Sequence, residues 1–254
     1  MQTYSENTAN AYNRIWNGYG AAFGESVVRY LTTLAPTTQR VALDLGCGTG
    51  SSARVLLANG FRVTAIDSSS HMLTHAKANC EQYVAAGLGT FMQGDIREFQ
   101  VEAPVGVAVS SYDTINHLES PTELRACFTC VARSLSPDGI FVFDLNTIRG
   151  LDDWNRVKIT DREDYAVISR GFFEPRTGRA WKKFSGFYSV DNGLYERFEE
   201  VIFNTAFRVA DVVAELRGAG FEGIHIAALP DFSQGIEDPE AEDRVVFVAG
   251  RGHR

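Results

Sequence analysis

From residue 41 to residue 145 the sequence repeats one alternation: a short, nearly uninterrupted apolar run, then a stretch with helical periodicity. The runs are Val41–Leu45, Arg62–Asp67, Thr90–Gln93, Gly106–Ser111 and Ile140–Leu145; the helical stretches are Ser51–Ala58, Ser70–Ala86 and about 121–135. This spacing specifies a parallel sheet covered on both faces, and strands buried from both sides need runs that are apolar throughout. A helix at Ala21–Leu34, closed by "APTT", precedes the pattern. After Asn146 the alternation stops. Residues 164–174, 180–190 and 194–207 read as three successive strands, with Asn192-Gly193 as a hairpin signal. It resumes with a helix at Val209–Ala219 and strands at Gly223–Leu229 and Arg244–Ala249, expected to pair at one edge. The predicted fold is therefore α/β: a seven-stranded, mostly parallel sheet with helices on both faces and an antiparallel β insertion after the fifth strand. With 254 residues the chain is long enough to bury this core without disulfide or metal staples.

Composition narrows the partners. The net charge is −8, and residues 151–210 carry ten basic and ten acidic side chains, so neither the whole nor the insertion offers a basic face to nucleic acid. No apolar run approaches membrane-spanning length, and the polar, aromatic start "MQTYSENTANAYNRIW" lacks the pattern of a signal peptide, so the expected compartment is the cytoplasm. "CFTC" at 127–130 has no second ligand pair at zinc spacing. Cys127 falls on one helical face with Leu124, Phe128, Val131 and Leu135, which is core packing, and no metal is expected.

The first strand runs into "DLGCGTG", residues 44–50, and then a helix. Open α/β sheets bind ligands at the carboxyl ends of their strands, and glycines there let the backbone turn sharply and approach a ligand. The spacing is G-x-G-x-G, not the G-x-G-x-x-G of a dinucleotide site. Asp44, two residues ahead, would repel a pyrophosphate and suits a ligand with a cationic amino group. "DLGCGTG" resembles the first motif of class I S-adenosylmethionine-dependent methyltransferases, whose sheet is Rossmann-like. The resemblance extends over about 37–148. It implies S-adenosylmethionine as cofactor, S-adenosylhomocysteine as product, and a binding set of Tyr4, Asp44, Gly46, Cys47, Gly48, Gly50, Asp67, Ser68, Met72, Asp95, Ile96 and Ser111. Within it, Asp67 would accept both ribose hydroxyls, Met72 and Ile96 would flank the adenine, and Asp95 would receive the adenine amino group.

The fourth strand ends in "SSYDTINHL", residues 110–118, the stretch that faces the reacting methyl in that family. "TINHL" resembles a segment of sugar N-methyltransferases of antibiotic pathways, and "ANAYNRIW" resembles the aromatic lid of aminosugar and lincosamide N-methyltransferases. The implied catalytic residues are His117, Tyr12 and Tyr112. His117 acts as base or only orients the acceptor, or else caps the following helix. Tyr4, Tyr12 and Tyr112 would form an aromatic wall suited to a cation. Arg14 and Arg29 are alternative partners for the cofactor carboxylate.

The expected organisation is a helical lid at 1–36, a cofactor-binding core at 37–150 and 205–254, and the insertion at 151–204 as acceptor pocket, dimer contact or both. The partner is a small-molecule acceptor, with no nucleic acid or membrane, and a homo-oligomer formed through the insertion is a further expectation. Methyl transfer to an amine leads the readings. Transfer to oxygen or carbon, RNA methylation, and a non-catalytic cofactor-binding protein stay open.

Overall fold

The computed structural model describes residues 4–33 and 39–251. The end of the first predicted helix at Leu34, the "APTT" turn, and the start and end of the chain lie outside them. In chain order the elements are α1 (Glu6–Ile15), α2 (Asn17–Thr33), β1 (Val41–Leu45), α3 (Ser51–Ala58), β2 (Arg62–Asp67), α4 (Ser70–Asn79), α5 (Glu81–Ala85), β3 (Gly89–Gln93), β4 (Val105–Ser110), α6 (Pro121–Ser134) and β5 (Leu135–Asn146). The insertion follows with α7 (Ile148–Asp152), β6 (Lys158–Asp161), β7 (Tyr165–Glu174), β8 (Arg179–Ser189) and β9 (Tyr195–Thr205). The chain closes with α8 (Val209–Gly218), β10 (Phe221–Ala227) and β11 (Arg244–Arg251).

The main sheet has the order β10-β11-β5-β4-β1-β2-β3. β1 to β5 are parallel, and β11 runs antiparallel to both β5 and β10. Two apolar layers cover it. On one side Leu124, Cys127, Phe128 and Val131 of α6 pack with Val212 and Leu216 of α8 over Phe141, Phe143 and Phe247. The Phe143 and Phe247 rings stack 4.8 Å apart. On the other side Phe23, Val27 and Leu31 of α2 join Leu56 and Leu57 of α3. Cys127 is thus a core residue, and burial pushes its thiol up. Among the described residues no helix is long and apolar enough to cross a membrane.

The insertion is a separate four-stranded antiparallel sheet, β6-β7-β8-β9. The sequence reading found three of its strands and missed β6, whose "KITD" is too short and too exposed to carry an apolar alternation. It also read Ser70–Ala86 as one helix, which breaks at Cys80 into α4 and α5. α1 bridges the two sheets. Arg14 donates to the Ser189 carbonyl at 2.7 Å and Asn7 to the Arg197 carbonyl at 3.4 Å on the insertion side. On the other side Asn10 and Asn13 bond His75 and Asn79 of α4 at 2.8 and 2.7 Å.

Between β4 and α6 a 3-10 turn at Thr114–His117 is fastened by Asn116, which is fully buried. Its amide donates to the carbonyls of Asn146 and Thr205, both at 3.0 Å, and its oxygen accepts the Asn146 N–H at 2.8 Å. One side chain thus ties the turn to both ends of the insertion. Asn116→Ala strands three buried backbone groups, each worth about 1–3 kcal/mol when unsatisfied. The expected result is a fall in the urea midpoint larger than a surface substitution gives, with the far-UV spectrum retained.

Candidate functional site

A cleft opens at the carboxyl ends of β1, β2 and β4, where the strand order reverses and open α/β sheets place their ligands. Its floor is the glycine turn. Gly46 and Gly48 hold φ of 63° and 54°, which side-chain-bearing residues rarely adopt. A Cβ on Gly46 would fall 2.3 Å from Thr114 Cγ2, so the turn packs against the 3-10 segment only as glycine. Gly48 lies under the Tyr12 ring, 3.8 Å from where its Cβ would stand.

Behind the turn Asp44 is 1% exposed, and neither carboxylate oxygen has a hydrogen-bond partner among the described residues. Burial, then the charge of Asp67, push it up to about 7; only the Ala53 backbone works in the other direction. The buried Thr49 hydroxyl is likewise unpartnered. A smaller polar recess shares Tyr12, Trp16, Gly46, Ser111 and Tyr112 with the cleft and reaches Cys47, Thr49 and Ser52. Gly50 packs against Ala76 of α4 rather than into the cleft.

Asp67 ends β2 and lines the cleft. Its Oδ2 accepts the Gly48 N–H at 2.8 Å and its Oδ1 the Ser69 N–H at 2.9 Å. Burial raises its pKa against both bonds. The Ser68 backbone also favours its charged form, and a carboxylate has room for about four donors, so capacity remains for a ligand donor. Ser68, Met72, Tyr4 and Ser111 line the same cleft. Asp95 and Ile96 do not. Arg97, two residues on, grips Asp95 through its backbone N–H, its Nε at 2.9 Å and its Nη2 at 2.5 Å, and holds the carboxyl below its usual range. Ile96 is fully buried in the core. Arg14 and Arg29 also fall elsewhere: Arg14 is spent on the insertion, and Arg29 lines a separate depression beside Phe232.

Opposite the glycine turn, Tyr112 and Asp113 are the only side-chain-bearing residues with positive φ among those described, at 61° and 55°. Asp144, fully buried on β5, holds them: its carboxylate accepts the Tyr112 N–H at 3.1 Å and the Asp113 N–H at 2.9 Å. Arg244 of β11 bonds Asp144 at 2.7 Å and the Asp113 side chain at 3.0 Å. The Tyr19 hydroxyl donates to Asp144 at 2.5 Å, and its ring stacks on Tyr112 at 4.9 Å. The Tyr4, Tyr12 and Tyr112 rings follow one another at 6.2 and 6.0 Å. Burial raises the phenols of all three, Tyr112 to about 12, so they stay protonated at neutral pH. Desolvation lowers His117, against the opposing pull of Asp113, so its imidazole is neutral there.

The insertion closes the cleft with Trp154, Lys182, Phe184 and Ile202. Phe173 and Tyr188 are buried, while Phe172, Trp181 and Phe187 stand on the outer face. Sequence reasoning missed Asp144, Arg244, Trp154 and Lys182. The acid inside the apolar run "FVFDLN" was a legible signal for Asp144; nothing local marked Arg244, whose partner lies 100 residues away.

Residues 42–139 match the family described as a methyltransferase domain. A Geobacillus sp. (strain WCH70) protein with a provisional methyltransferase name is 29% identical over 82% of this chain and 83% of its own. The dTDP-3-amino-3,4,6-trideoxy-alpha-D-glucopyranose N,N-dimethyltransferase of Streptomyces venezuelae is 26% identical over 85% and 91%. In fold, the chain is similar to an S-adenosylmethionine-dependent methyltransferase from Clostridium acetobutylicum ATCC 824, with a TM-score of 0.82, 19% identity, and coverage of 97% and 98%. Residues 42–139 thus carry a methyltransferase domain, the chain shares the Rossmann-like fold of an S-adenosylmethionine-dependent methyltransferase, and it is similar to sugar N,N-dimethyltransferases.

Asp44 carries a stability signature. Its folded value, about 7, lies above the ordinary carboxylate value of 3.8, so between these the folded chain holds a proton that the unfolded chain releases. Its contribution is therefore best at low pH and is lost as pH rises towards 7. In the ligand-free protein, Asp44→Asn should raise the melting temperature at pH 8 by about 2–4 °C for each kcal/mol recovered, with a smaller gain at pH 5. Scanning calorimetry at the two pH values checks this.

Proposed function

We propose that this methyltransferase passes a methyl group to an amine nitrogen of a small-molecule acceptor lying between His117 and the wall of Tyr4, Tyr12 and Tyr112. The observation that carries the reading is a neutral, buried imidazole facing a cleft walled by protonated tyrosines. The relatives named as N,N-dimethyltransferases of dTDP-amino sugars, from Streptomyces venezuelae and Saccharopolyspora spinosa, support an amine and favour an amino sugar.

The residues present fit S-adenosylmethionine. The two unpartnered Asp44 oxygens suit an ammonium, and Asp67 retains capacity for a ribose hydroxyl. Gly46, Gly48 and Ser111 shape the floor, with Cys47 and Gly50 supporting the turn from behind, and Ser68 and Met72 would lie against the adenine. Asp95 would receive the adenine amino group once Arg97 releases its carboxylate, with Ile96 backing it from the core. The cofactor supplies a methyl activated by its sulfonium. The chain's own task is to align the nitrogen, exclude water and leave that nitrogen unprotonated. An ammonium cannot attack, and His117, neutral because it is desolvated, accepts its proton. The aromatic wall holds the cationic partners by cation–π attraction without offering a competing nucleophile.

In this reading residues 1–36 form a lid, since α1 spans both sheets, and 151–204 form the acceptor wall; 37–150 with 205–254 hold the cofactor. The row Phe172, Trp181 and Phe203, exposed across three strands of the insertion, is the surface we assign to a second copy of the chain.

A product-mass screen of amine and hydroxyl acceptors tests the reaction; methylation confined to hydroxyls would overturn the amine assignment. On the amine found, His117→Ala should lower kcat by about 10²–10⁴ with cofactor affinity intact. The acid limb of the wild-type pH profile should lie below 6.5, the ordinary imidazole value from which His117 is lowered, and in the variant it should move up to the pH at which the amine itself loses its proton. Asp67→Ala should weaken S-adenosylhomocysteine binding by about 1.5–3 kcal/mol per charged hydrogen bond lost, measured by calorimetry.

A further inference from the structure

The insertion brings into the cleft a cation that forms no ion pair among the described residues. Lys182 sits mid-strand on β8, on the face that lines the cleft. Its neighbours in the strand and across the cleft are committed: Lys183 pairs with Glu199 at 2.6 Å, and Arg244 with both Asp113 and Asp144. Among the described residues Lys182 has no ion pair. Its Nζ stands 4.1 Å from the centroid of the Trp154 ring.

The platform under it is built. Gly171 pairs with Lys182 across β7 and β8. A Cβ at Gly171 would fall 2.5 Å from the Trp181 carbonyl oxygen and 3.1 Å from that of Trp154, so the turn carrying Trp154 can lie on the strand only over glycine. Asn155 pins the same turn by accepting the Phe173 N–H at 3.0 Å. Trp154 is thereby fixed at 6% exposure with Lys182 over its ring. The position is costly for a charge. Desolvation lowers Lys182 to about 8; Asp113 and Asp153 pull it up, and Lys158 and Arg244 push it further down. A half-buried ammonium that lies on an aromatic face and has no ion pair among the described residues gains most from an anion that enters the cleft.

We infer that Lys182, on its Trp154 platform, is a binding site for an anionic group of the acceptor, a carboxylate or a phosphate. This rests on the reading that the acceptor occupies this cleft. An acceptor with an amine at His117 and an anion at Lys182 is held at two points, one from each sheet, and this fixes which nitrogen meets the methyl. An ammonium is a point charge and accepts either anion, so the choice between them is left to experiment.

The test is calorimetric titration of the S-adenosylhomocysteine-saturated protein with glucosamine, glucosamine 6-phosphate and 2-amino-2-deoxyglucuronic acid. The wild type should bind at least one anionic probe about tenfold or more tighter than glucosamine, the size of one charge-assisted hydrogen bond, and the probe preferred identifies phosphate or carboxylate. Lys182→Met should reduce that probe to the level of glucosamine while leaving S-adenosylhomocysteine affinity unchanged, and Lys182→Arg should restore part of the preference. A lysine that only balances the charge of Asp113 would change melting temperature without changing the preference. No preference in the wild type, or one that survives Lys182→Met, overturns the site. Should Lys182→Met fail to fold, Lys182→Gln and the wild-type comparison decide. Methyl transfer is read separately by product mass, so loss of the amine reading and loss of the anion site give different results.

Discussion

One buried carboxylate organises the reacting side of the cleft. Asp144 receives four donors: the Tyr112 and Asp113 amides, the Arg244 guanidinium and the Tyr19 hydroxyl. Two consecutive left-handed residues that are not glycine cost free energy, and they persist only when their surroundings over-determine them. Here the surroundings are that carboxylate. It turns the chain after β4 so that Tyr112 faces Tyr12 and the 3-10 segment ending in His117 lies over the glycine turn. Removing the carboxylate would also leave Arg244 buried beside a single partner, which is more damaging than losing the pair together.

The cofactor side uses the opposite device. Among the described residues Asp44 is buried without hydrogen-bond partners, Thr49 beside it likewise, and Asp67 is raised despite its backbone hydrogen bonds. Charges arranged in this way oppose the stability of the empty chain and favour a ligand that answers them. The same logic applies to Lys182 on the insertion. The cleft is thus a place where the fold keeps electrostatic deficits, set between two sheets whose apolar layers are well packed and sustain them.

The main sheet was legible because its signals are local. Apolar runs and helical periodicity placed all seven strands, and Gly46 and Gly48 announced the turn by composition alone. Asp67, Met72 and His117, read from their places after strand ends, and Tyr12, read from the resemblance of "ANAYNRIW", all line one cleft. Asp95 stands outside the cleft because Arg97 folds back along the same turn and closes a bidentate pair with it, which spacing does not reveal. Arg244 and Lys182 were invisible for another reason: their meaning comes from pairing across 100 residues and from a tryptophan carried on a glycine-permitted turn. β6 was missed because an edge strand with both faces wet leaves no hydrophobic trace.

Because β11 runs against its neighbours, the beginning of the last strand, not its end, lies at the ligand edge of the sheet. Arg244 reaches Asp144 from there. In a chain made from its amino end, domains begin to assemble as they emerge. The glycine turn, its helix and the first four strands are complete while more than half of the sequence is still to come. The bend at Tyr112 is made early and secured late: its anchor acquires its guanidinium partner only as the final strand leaves the ribosome. A chain ended before β11 therefore lacks the guanidinium that answers Asp144 and Asp113 at this bend.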